Sequence, residues 1–110
     1  MKYKLLYSPA AAADLEDINE YIAGELCSPD AARNVIGGIL DAAEKLEDFP
    51  NMGTPLRAVT DMESDCRFIA VRGYTVFYRS SGDCVYIDRI LHGRRGYMRI
   101  LFGDGEQAAD

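Results

Sequence analysis

The segment ILHGRRGYMRI, residues 90–100, groups more potential anion-binding and proton-transfer side chains than any other stretch of this chain. His92 is the only histidine, so any general acid–base mechanism has to start from it. Arg94 and Arg95 could hold a phosphate, and Tyr97 could donate a hydrogen bond or stack on a base. The segment could therefore be a catalytic tail, an anchor for a nucleic acid or protein partner, or a charged surface with neither role.

Further arginines lie on the strands before His92 and after Tyr97. Arg67, Arg79 and Arg89 lie on predicted strands, and Arg99 follows Tyr97. Metal-independent RNA cleavage through a 2′-hydroxyl needs a base, an acid and a group that stabilises negative charge. Histidine, tyrosine and arginine could supply all three. The competing interpretation is that Arg94 and Arg95 pair with acidic residues of a partner or of the N-terminal helices.

Other kinds of site have little support in the sequence. There is no second histidine, and Cys27, Cys66 and Cys84 include no closely spaced pair, so we expect no metal site and no disulfide set. The phosphate-binding glycine frames are absent too, and we expect no cofactor. The strand tyrosines, which include Tyr74 and Tyr78, are interpreted as core or sheet-edge residues rather than a base-stacking face.

Charge is distributed unevenly along the chain. Residues 1–65 hold five Lys/Arg against thirteen Asp/Glu, whereas residues 66–102 hold seven Arg against two Asp. The formal net charge of −6 by itself argues against a nucleic-acid partner. An arginine-rich block in an acidic protein is typical of a directed interaction surface, although solvated arginines at a sheet rim would give the same pattern.

Two helix-start signals of the same kind occur in the N-terminal half, after a short strand predicted in KYKLLYS. Ser8 and Pro9 predict the N-cap and first residue of one helix, and Ser28 and Pro29 predict those of a second. Because only one or two residues separate the helices, they must fold back as an antiparallel hairpin.

Each predicted helix carries one apolar stripe at helical spacing. The stripe residues are Leu15, Ile18, Ile22 and Leu26 in the first helix, and Val35, Ile36, Ile39, Leu40, Ala43 and Leu46 in the second. Gly37 and Gly38 interrupt the second helix, and each costs roughly 1 kcal/mol relative to alanine. A cost of this size favours close approach to a neighbouring helix or sheet at the glycine pair; the alternative is a tolerated local weakness of the helix.

The C-terminal half predicts three strands, in CRFIAVRG and in YTVFYRSSGDCVYIDRIL, with turns at RG and SSGD. FPNMGTPLR reads as the loop that ends the helical half. The order β-α-α-β-β-β predicts an α+β fold, a small twisted and mostly antiparallel sheet with a helical hairpin packed on one face. We expect a single domain over residues 1–102 and a disordered acidic tail over residues 103–110. No apolar run approaches the ~20 residues of a membrane helix.

In the order and spacing of these segments the chain resembles the RelE/ParE superfamily of toxins from bacterial type II toxin–antitoxin modules. The resemblance covers residues 3–102 and is carried by SPAAAADLEDINEYI, SPDAARNVIGGILDAAEKLEDFPNMG, CRFIAVRGYTVFYR and VYIDRILHGRRGYMRIL. It implies a cytoplasmic toxin that inhibits growth, stabilises plasmids and is neutralised by a cognate antitoxin, segments of which commonly cover the groove between helices and sheet. It also implies contact with operator DNA only indirectly, through the antitoxin.

The superfamily contains two activities, and the sequence helps to separate them. RelE-type members cleave mRNA on the ribosome with basic residues on the middle strands and Arg and Tyr near the C-terminus, whereas ParE-type members poison DNA gyrase. Thr75 stands where RelE-like sequences generally place an arginine, and Phe68 and Ile69 stand where they tend to place lysines. Gly96 replaces the aspartate of the common RRDY motif, which removes a carboxylate that could orient an arginine.

These departures favour a ParE-like inhibitor of DNA gyrase. The net charge of −6 favours it as well, because a negatively charged chain binds the phosphates of ribosomal RNA poorly. The target-binding or partner-binding residues under this interpretation are Arg79, Arg89, Arg94, Arg95, Tyr97 and Arg99. The alternative is a RelE-like ribosome-dependent mRNA endoribonuclease that needs no metal. Its catalytic residues would be His92, Arg94, Arg95, Tyr97 and Arg67. A third interpretation is a decayed toxin that only binds its antitoxin.

Overall fold

The computed structural model describes residues 2–56 and 65–92. Its elements follow the predicted α+β order with one added strand. They are β1 (Lys4–Tyr7), α1 (Pro9–Glu20), a π-helical turn (Tyr21–Glu25), α2 (Pro29–Lys45), β2 (Thr54–Pro55), β3 (Arg67–Val71), β4 (Tyr74–Ser81) and β5 (Cys84–His92). Within the described residues, no helix combines the length and apolar character needed to cross a membrane.

The strands form one sheet in the order β1-β5-β4-β3-β2. Each neighbouring pair is antiparallel except β1 and β5, which run parallel with Leu5 opposite Val85. The mostly antiparallel sheet is thus confirmed. Both predicted turns are present: Arg72 and Gly73 have φ values of 51° and 86°, and Gly82 has a φ of 62°. Glycine adopts these left-handed conformations without steric cost, whereas Arg72 does so under some strain.

The added strand, β2, lies in the segment that the sequence predicted to be a loop. Thr54 pairs with Phe68 and Pro55 pairs with Arg67 at the outer edge of β3. Proline is tolerated there because an edge strand needs no N–H on its open side. Two residues are too few to show the alternation by which a strand is predicted.

The two predicted helix caps differ in outcome. The Ser8 hydroxyl accepts a hydrogen bond from the Ala11 N–H at 2.9 Å and donates one to the Asp88 carbonyl at 2.8 Å, so this N-cap is confirmed and also ties α1 to β5. Ser28 makes no side-chain capping bond, and that part of the prediction is wrong. Its carbonyl still accepts the first helical bond of α2, from the N–H of Ala32 at 3.0 Å.

The first helix does not continue regularly to Leu26. Beyond Glu20 the backbone widens into the π-helical turn, in which the Leu26 N–H donates to the Tyr21 carbonyl at 3.1 Å. An i→i+5 bond rotates later residues away from the preceding stripe. Ile18 and Ile22 are buried as predicted, but Leu26 is 55% exposed and does not belong to the core.

The glycine pair of α2 has a neighbour at one position only. A Cβ on Gly38 would lie 2.5 Å from Nε of Arg72, whose side chain crosses the helix at the β3–β4 turn. A Cβ on Gly37 would meet no described atom within 4 Å. The predicted close approach is confirmed for Gly38 and is wrong for Gly37.

The main core lies between the helices and one face of the sheet. It is built from apolar residues of the helical segment, β4 and β5: Ala11, Ile18, Ile22, Ala32, Ile39, Ala43, Leu46, Val76, Tyr78, Val85, Ile87 and Ile90. A smaller cluster of Leu56, Cys66 and Phe77 forms a second, separate core. The helices therefore pack on the sheet with α1 against the end of β5, and this contact builds the groove described next.

Candidate functional site

His92, the proposed proton-transfer residue, ends β5 directly opposite Tyr74, the first residue of β4. The two rings meet edge to face, with centroids 5.1 Å apart and planes inclined by 70°. This arrangement is favourable for aromatic pairs. Among the described residues, His92 is therefore held at the end of the sheet with its ring against that of Tyr74.

The His92–Tyr74 pair forms one wall of a groove between α1 and the sheet, with a volume of about 410 Å³. The opposite wall is one face of α1 and the π-helical turn. The lining residues are Asp14, Asp17, Ile18, Tyr21, Tyr74, Ile90, Leu91 and His92. Tyr21 is 53% exposed, so its ring stands at the mouth of the groove.

Tyr21 and Tyr74 both line this groove. Burial raises the pKa of the Tyr74 hydroxyl, and the nearby Tyr21 hydroxyl raises it further. A tyrosine in this state stays protonated and neutral, so it offers an O–H donor and an aromatic face. Asp17 and Tyr21 are not among the site residues predicted from the sequence. Their spacing from Asp14, at i+3 and i+7, was the signal that could have placed all three on one helix face.

Arg89, predicted to bind a target or partner, is paired with Asp14, which lines the same groove. Its guanidinium donates two hydrogen bonds to the Asp14 carboxylate, at 2.8 and 2.9 Å. Hydrogen bonding to Asp14 raises the pKa of Arg89, so the guanidinium remains charged. Asp14 also accepts a hydrogen bond from the Ile90 N–H at 2.9 Å. Arg89 thus joins β5 to α1 through an ion pair that was not predicted from the sequence.

Arg79, predicted for the same role, has an internal partner too. It donates to the Asp88 carboxylate on the neighbouring strand at 2.7 and 3.2 Å, and its guanidinium carbon lies 5.8 Å from the centroid of the Tyr86 ring. The hydrogen bond to Asp88 raises the pKa of Arg79. The side chain is 52% exposed, so one side of this paired guanidinium stays accessible to solvent.

Arg67, the strand residue required by the endoribonuclease interpretation, holds the loop before β2. Its Nη1 donates to the Gly53 carbonyl at 2.8 Å and to the Asn51 carbonyl at 3.3 Å. The buried Tyr78 hydroxyl accepts a hydrogen bond from the Gly53 N–H at 2.8 Å, which ties the same loop to β4. Arg67 has a structural use that accounts for its position.

Arg67 is also remote from His92. On β4, Arg67 pairs with Tyr78 and His92 pairs with Tyr74, so four residues of strand separate the two positions. This offset is about 13 Å along the strand, and β3 and β5 lie on opposite sides of β4, about 10 Å apart. Because the guanidinium is bound to the loop at residues 51–53, the structure does not bring Arg67 and His92 together.

Comparison with known proteins now identifies the family. A family model for the ParE toxin of the type II toxin–antitoxin system parDE matches residues 5–97. The chain belongs to the ParE toxin family. A search of curated proteins with the sequence finds no match.

Two solved structures share the fold of this ParE family member. The chromosomal ParDE toxin–antitoxin system from P. aeruginosa superimposes with a TM-score of 0.71 at 21% identity, over 84% of this chain and 98% of the other. The RelBE2 toxin–antitoxin complex from Mycobacterium tuberculosis superimposes with a TM-score of 0.62 at 20% identity, over 84% and 99% respectively. At these identities the likeness concerns the fold, which the two branches of the superfamily have in common.

The remaining predicted site residues of this ParE family member are Arg94, Arg95, Tyr97 and Arg99. They lie outside the described residues, and their roles stay predictions. Of the predicted residues that the structure does describe, Arg67, Arg79 and Arg89 each have an internal partner, and His92 lines the groove. The structure therefore assembles no catalytic cluster from the described members of that set.

A second groove, of about 490 Å³, lies between the helices. Its lining is mostly apolar: Asn19, Ala23, Pro29, Arg33, Ile36, Gly37 and Leu40. Gly37 lies at a position where α2 offers no side chain, and Leu40 is 40% exposed. Arg33 is the charged residue of this lining, and its contact with Asp30 at 3.3 Å is highly exposed.

Proposed function

We propose that this ParE family member is the toxin of a cytoplasmic toxin–antitoxin pair and blocks growth by acting on DNA gyrase as a binding protein rather than as a nuclease. The main observation in favour of this proposal is that Arg67 donates hydrogen bonds to the carbonyls of Gly53 and Asn51. A nuclease of the RelE type would use this arginine on the scissile phosphate. Here it would first have to give up both loop contacts.

The other strand arginines support the same choice. Phosphate recognition depends on arginines whose donors are available to the phosphate oxygens. Arg79 already donates to Asp88 and Arg89 to Asp14, and each pair places a carboxylate where phosphate would be repelled. The net charge of −6 adds a general repulsion from ribosomal RNA.

An antitoxin is the second proposed partner. The two structural relatives are described as a ParDE toxin–antitoxin system and as a RelBE2 toxin–antitoxin complex. The described part of the chain offers a groove between α1 and the sheet, lined by carboxylates, aromatic rings and apolar residues, and a mostly apolar groove between the helices. Antitoxin segments would cover such grooves, and the antitoxin would carry any contact with operator DNA.

The experiment that tests this function is the order in which macromolecular synthesis stops. The chain is induced without an antitoxin in bacteria, and newly made DNA and protein are pulse-labelled within minutes. A fall in DNA synthesis before protein synthesis, with inhibition of supercoiling by purified gyrase in vitro, supports the proposal. Earlier loss of protein synthesis, with cleaved mRNA on ribosomes, would establish the RelE-like activity instead. Continued growth with soluble chain present would establish a decayed toxin.

A further inference from the structure

The groove between α1 and the sheet combines a carboxylate with aromatic rings, and this chemistry selects a cation. Asp17 lines the groove and, within residues 2–56 and 65–92, has no ion-pair partner. The rings of Tyr21, Tyr74 and His92 line the same space. Aromatic faces attract a cation through their quadrupole, and a carboxylate attracts it through its charge.

The second carboxylate of the groove does not compete for the same ligand. Asp14 is 11% exposed and its charge is compensated by the bidentate contact with Arg89. Its hydrogen bond from Ile90 further fixes its orientation. The negative charge available to an incoming group is therefore that of Asp17, at the solvent side of the lining.

Other classes of ligand fit this groove less well. A phosphate or carboxylate would approach Asp17 against charge repulsion. A purely apolar side chain would cover the Asp17 carboxylate without giving it a hydrogen-bond partner, which is unfavourable. A guanidinium satisfies both parts of the site, because its planar face stacks on tyrosine while its edge donates two hydrogen bonds to a carboxylate.

We propose that this groove is the receptor for an arginine side chain presented by the antitoxin, with Asp17 as its anion and Tyr21 and Tyr74 as its stacking walls. The identity of the partner rests on the proposed function, whereas the recognition of a guanidinium rests on the groove alone. The groove is larger than one side chain needs, so the residues flanking the arginine would contact Ile18 and Leu91.

Recognition of the guanidinium is tested by NMR titration of the full-length chain with Nα-acetyl-arginine amide. Nα-acetyl-citrulline amide has nearly the same shape without the charge and serves as the ligand control. We expect shift changes at Tyr21, Tyr74 and His92 with the arginine compound, and binding weaker by about tenfold in Asp17→Asn. Glu16→Gln changes the net charge by the same amount on the neighbouring residue, which does not line the groove, and should bind as the wild type does.

Three results would overturn the proposal. Equal shifts with the citrulline compound would show that charge is not recognised, and unchanged affinity in Asp17→Asn would remove the assigned anion. Binding that appears only when Arg94→Gln and Arg95→Gln are combined would assign the groove to the chain's own arginines rather than to a partner. Gyrase plays no part in this titration, so its outcome is independent of the proposed target.

The partner is tested by growth with the antitoxin that neutralises the wild-type chain. Asp17→Arg should escape neutralisation, so that growth is inhibited although the antitoxin is present. Replacing one antitoxin arginine with glutamate should restore neutralisation. Glu16→Arg should remain neutralised by the unchanged antitoxin. Neutralisation of Asp17→Arg by the unchanged antitoxin would exclude an arginine of that partner from the groove. This readout needs only a toxic chain, whichever target it acts on.

Discussion

Asp14 on α1 and Arg89 on β5, 75 residues apart in the chain, form a bidentate ion pair with both contacts shorter than 3.0 Å. The Asp14 carboxylate also accepts the hydrogen bond of the Ile90 N–H at 2.9 Å. One carboxylate thus connects the helix to both the side chain and the backbone of the strand. This connection holds Asp14 and Ile90, two lining residues of the groove, in place and makes the helix–strand contact sensitive to single substitutions.

Removal of Arg89 alone should be more damaging than removal of the whole pair. Arg89→Met leaves the Asp14 carboxylate, which is 11% exposed, without its counter-charge, and we expect a loss of about 2–3 kcal/mol. The double variant Asp14→Asn/Arg89→Met should recover part of this loss, because the amide oxygen can still accept from Ile90. Urea unfolding of the four members of the cycle gives the coupling energy. Arg79→Met, in a more exposed pair, should cost less than about 1 kcal/mol.

Tyr78→Phe should destabilise the fold through the loop before β2. The Tyr78 hydroxyl is the acceptor for the Gly53 N–H, and its loss leaves that buried donor unsatisfied at a cost of about 1–3 kcal/mol. Hydrogen exchange of the Gly53 amide, measured by NMR, should become faster than in the wild type. An unchanged exchange rate, with unchanged stability, would show that the loop is held without this bond.

Gly37→Ala and Gly38→Ala should differ although the glycines are neighbours in one helix. Alanine at residue 37 meets no described atom and should raise the free energy of unfolding by about 0.5–1 kcal/mol through helix propensity. Alanine at residue 38 has to displace the Arg72 side chain from a position 2.5 Å away, so it should gain less. Thermal unfolding of both variants decides the point. Equal gains in the free energy of unfolding would show that displacing the Arg72 side chain costs nothing measurable.

The buried thiol of Cys66 predicts a loss of stability in alkali. Burial is the main cause that raises the pKa of Cys66 from 9.0 to about 11. The thiol therefore favours the folded state fully below pH 9, and this contribution disappears as the pH rises towards 11. The unfolding free energy should fall by up to about 1.4 kcal/mol per pH unit from this one group.

Cys66→Ala should show a shallower dependence over pH 9–10 than the wild type. Burial also raises the pKa values of Tyr7, Tyr74 and Tyr78 above 10.0, so their effect adds at the upper end of the range. Denaturant unfolding at several pH values gives the slope. Cys27→Ala, which removes an exposed thiol, is the control. Identical slopes in wild type and Cys66→Ala would contradict the prediction.

Substitution of His92 should separate the two activities of the superfamily. Under the proposed function His92→Ala keeps its inhibition of supercoiling within about twofold, whereas a nuclease that used His92 as its base would lose about 100-fold or more of its rate. Arg94→Ala with Arg95→Ala should reduce growth inhibition under either activity. A double variant as toxic as the wild type would show that these arginines have no role in toxicity. Circular dichroism of each variant confirms that the fold is retained.

The sequence by itself determined the features that depend on neighbouring residues. Ser8 and Pro9 start α1 because a hydroxyl followed by a fixed φ satisfies and orients the first turn. The RG pair and Gly82 turn the chain because their backbone conformations are decided within two residues. The order of helices and strands, the α+β class and the resemblance to the family follow from such local signals.

Only the tertiary structure decided which arginines bind partners within the chain. Arg89 meets Asp14, Arg67 meets the loop at residues 51–53 and Arg79 meets Asp88, and all three contacts join separate elements. The sequence placed all three in the arginine-rich block and could not say which had partners, because ion pairing depends on distance in space. The parallel pairing of β1 with β5 and the rotation of Leu26 out of the core by the π-helical turn have the same origin. They are set by packing between elements, which local residue patterns do not record.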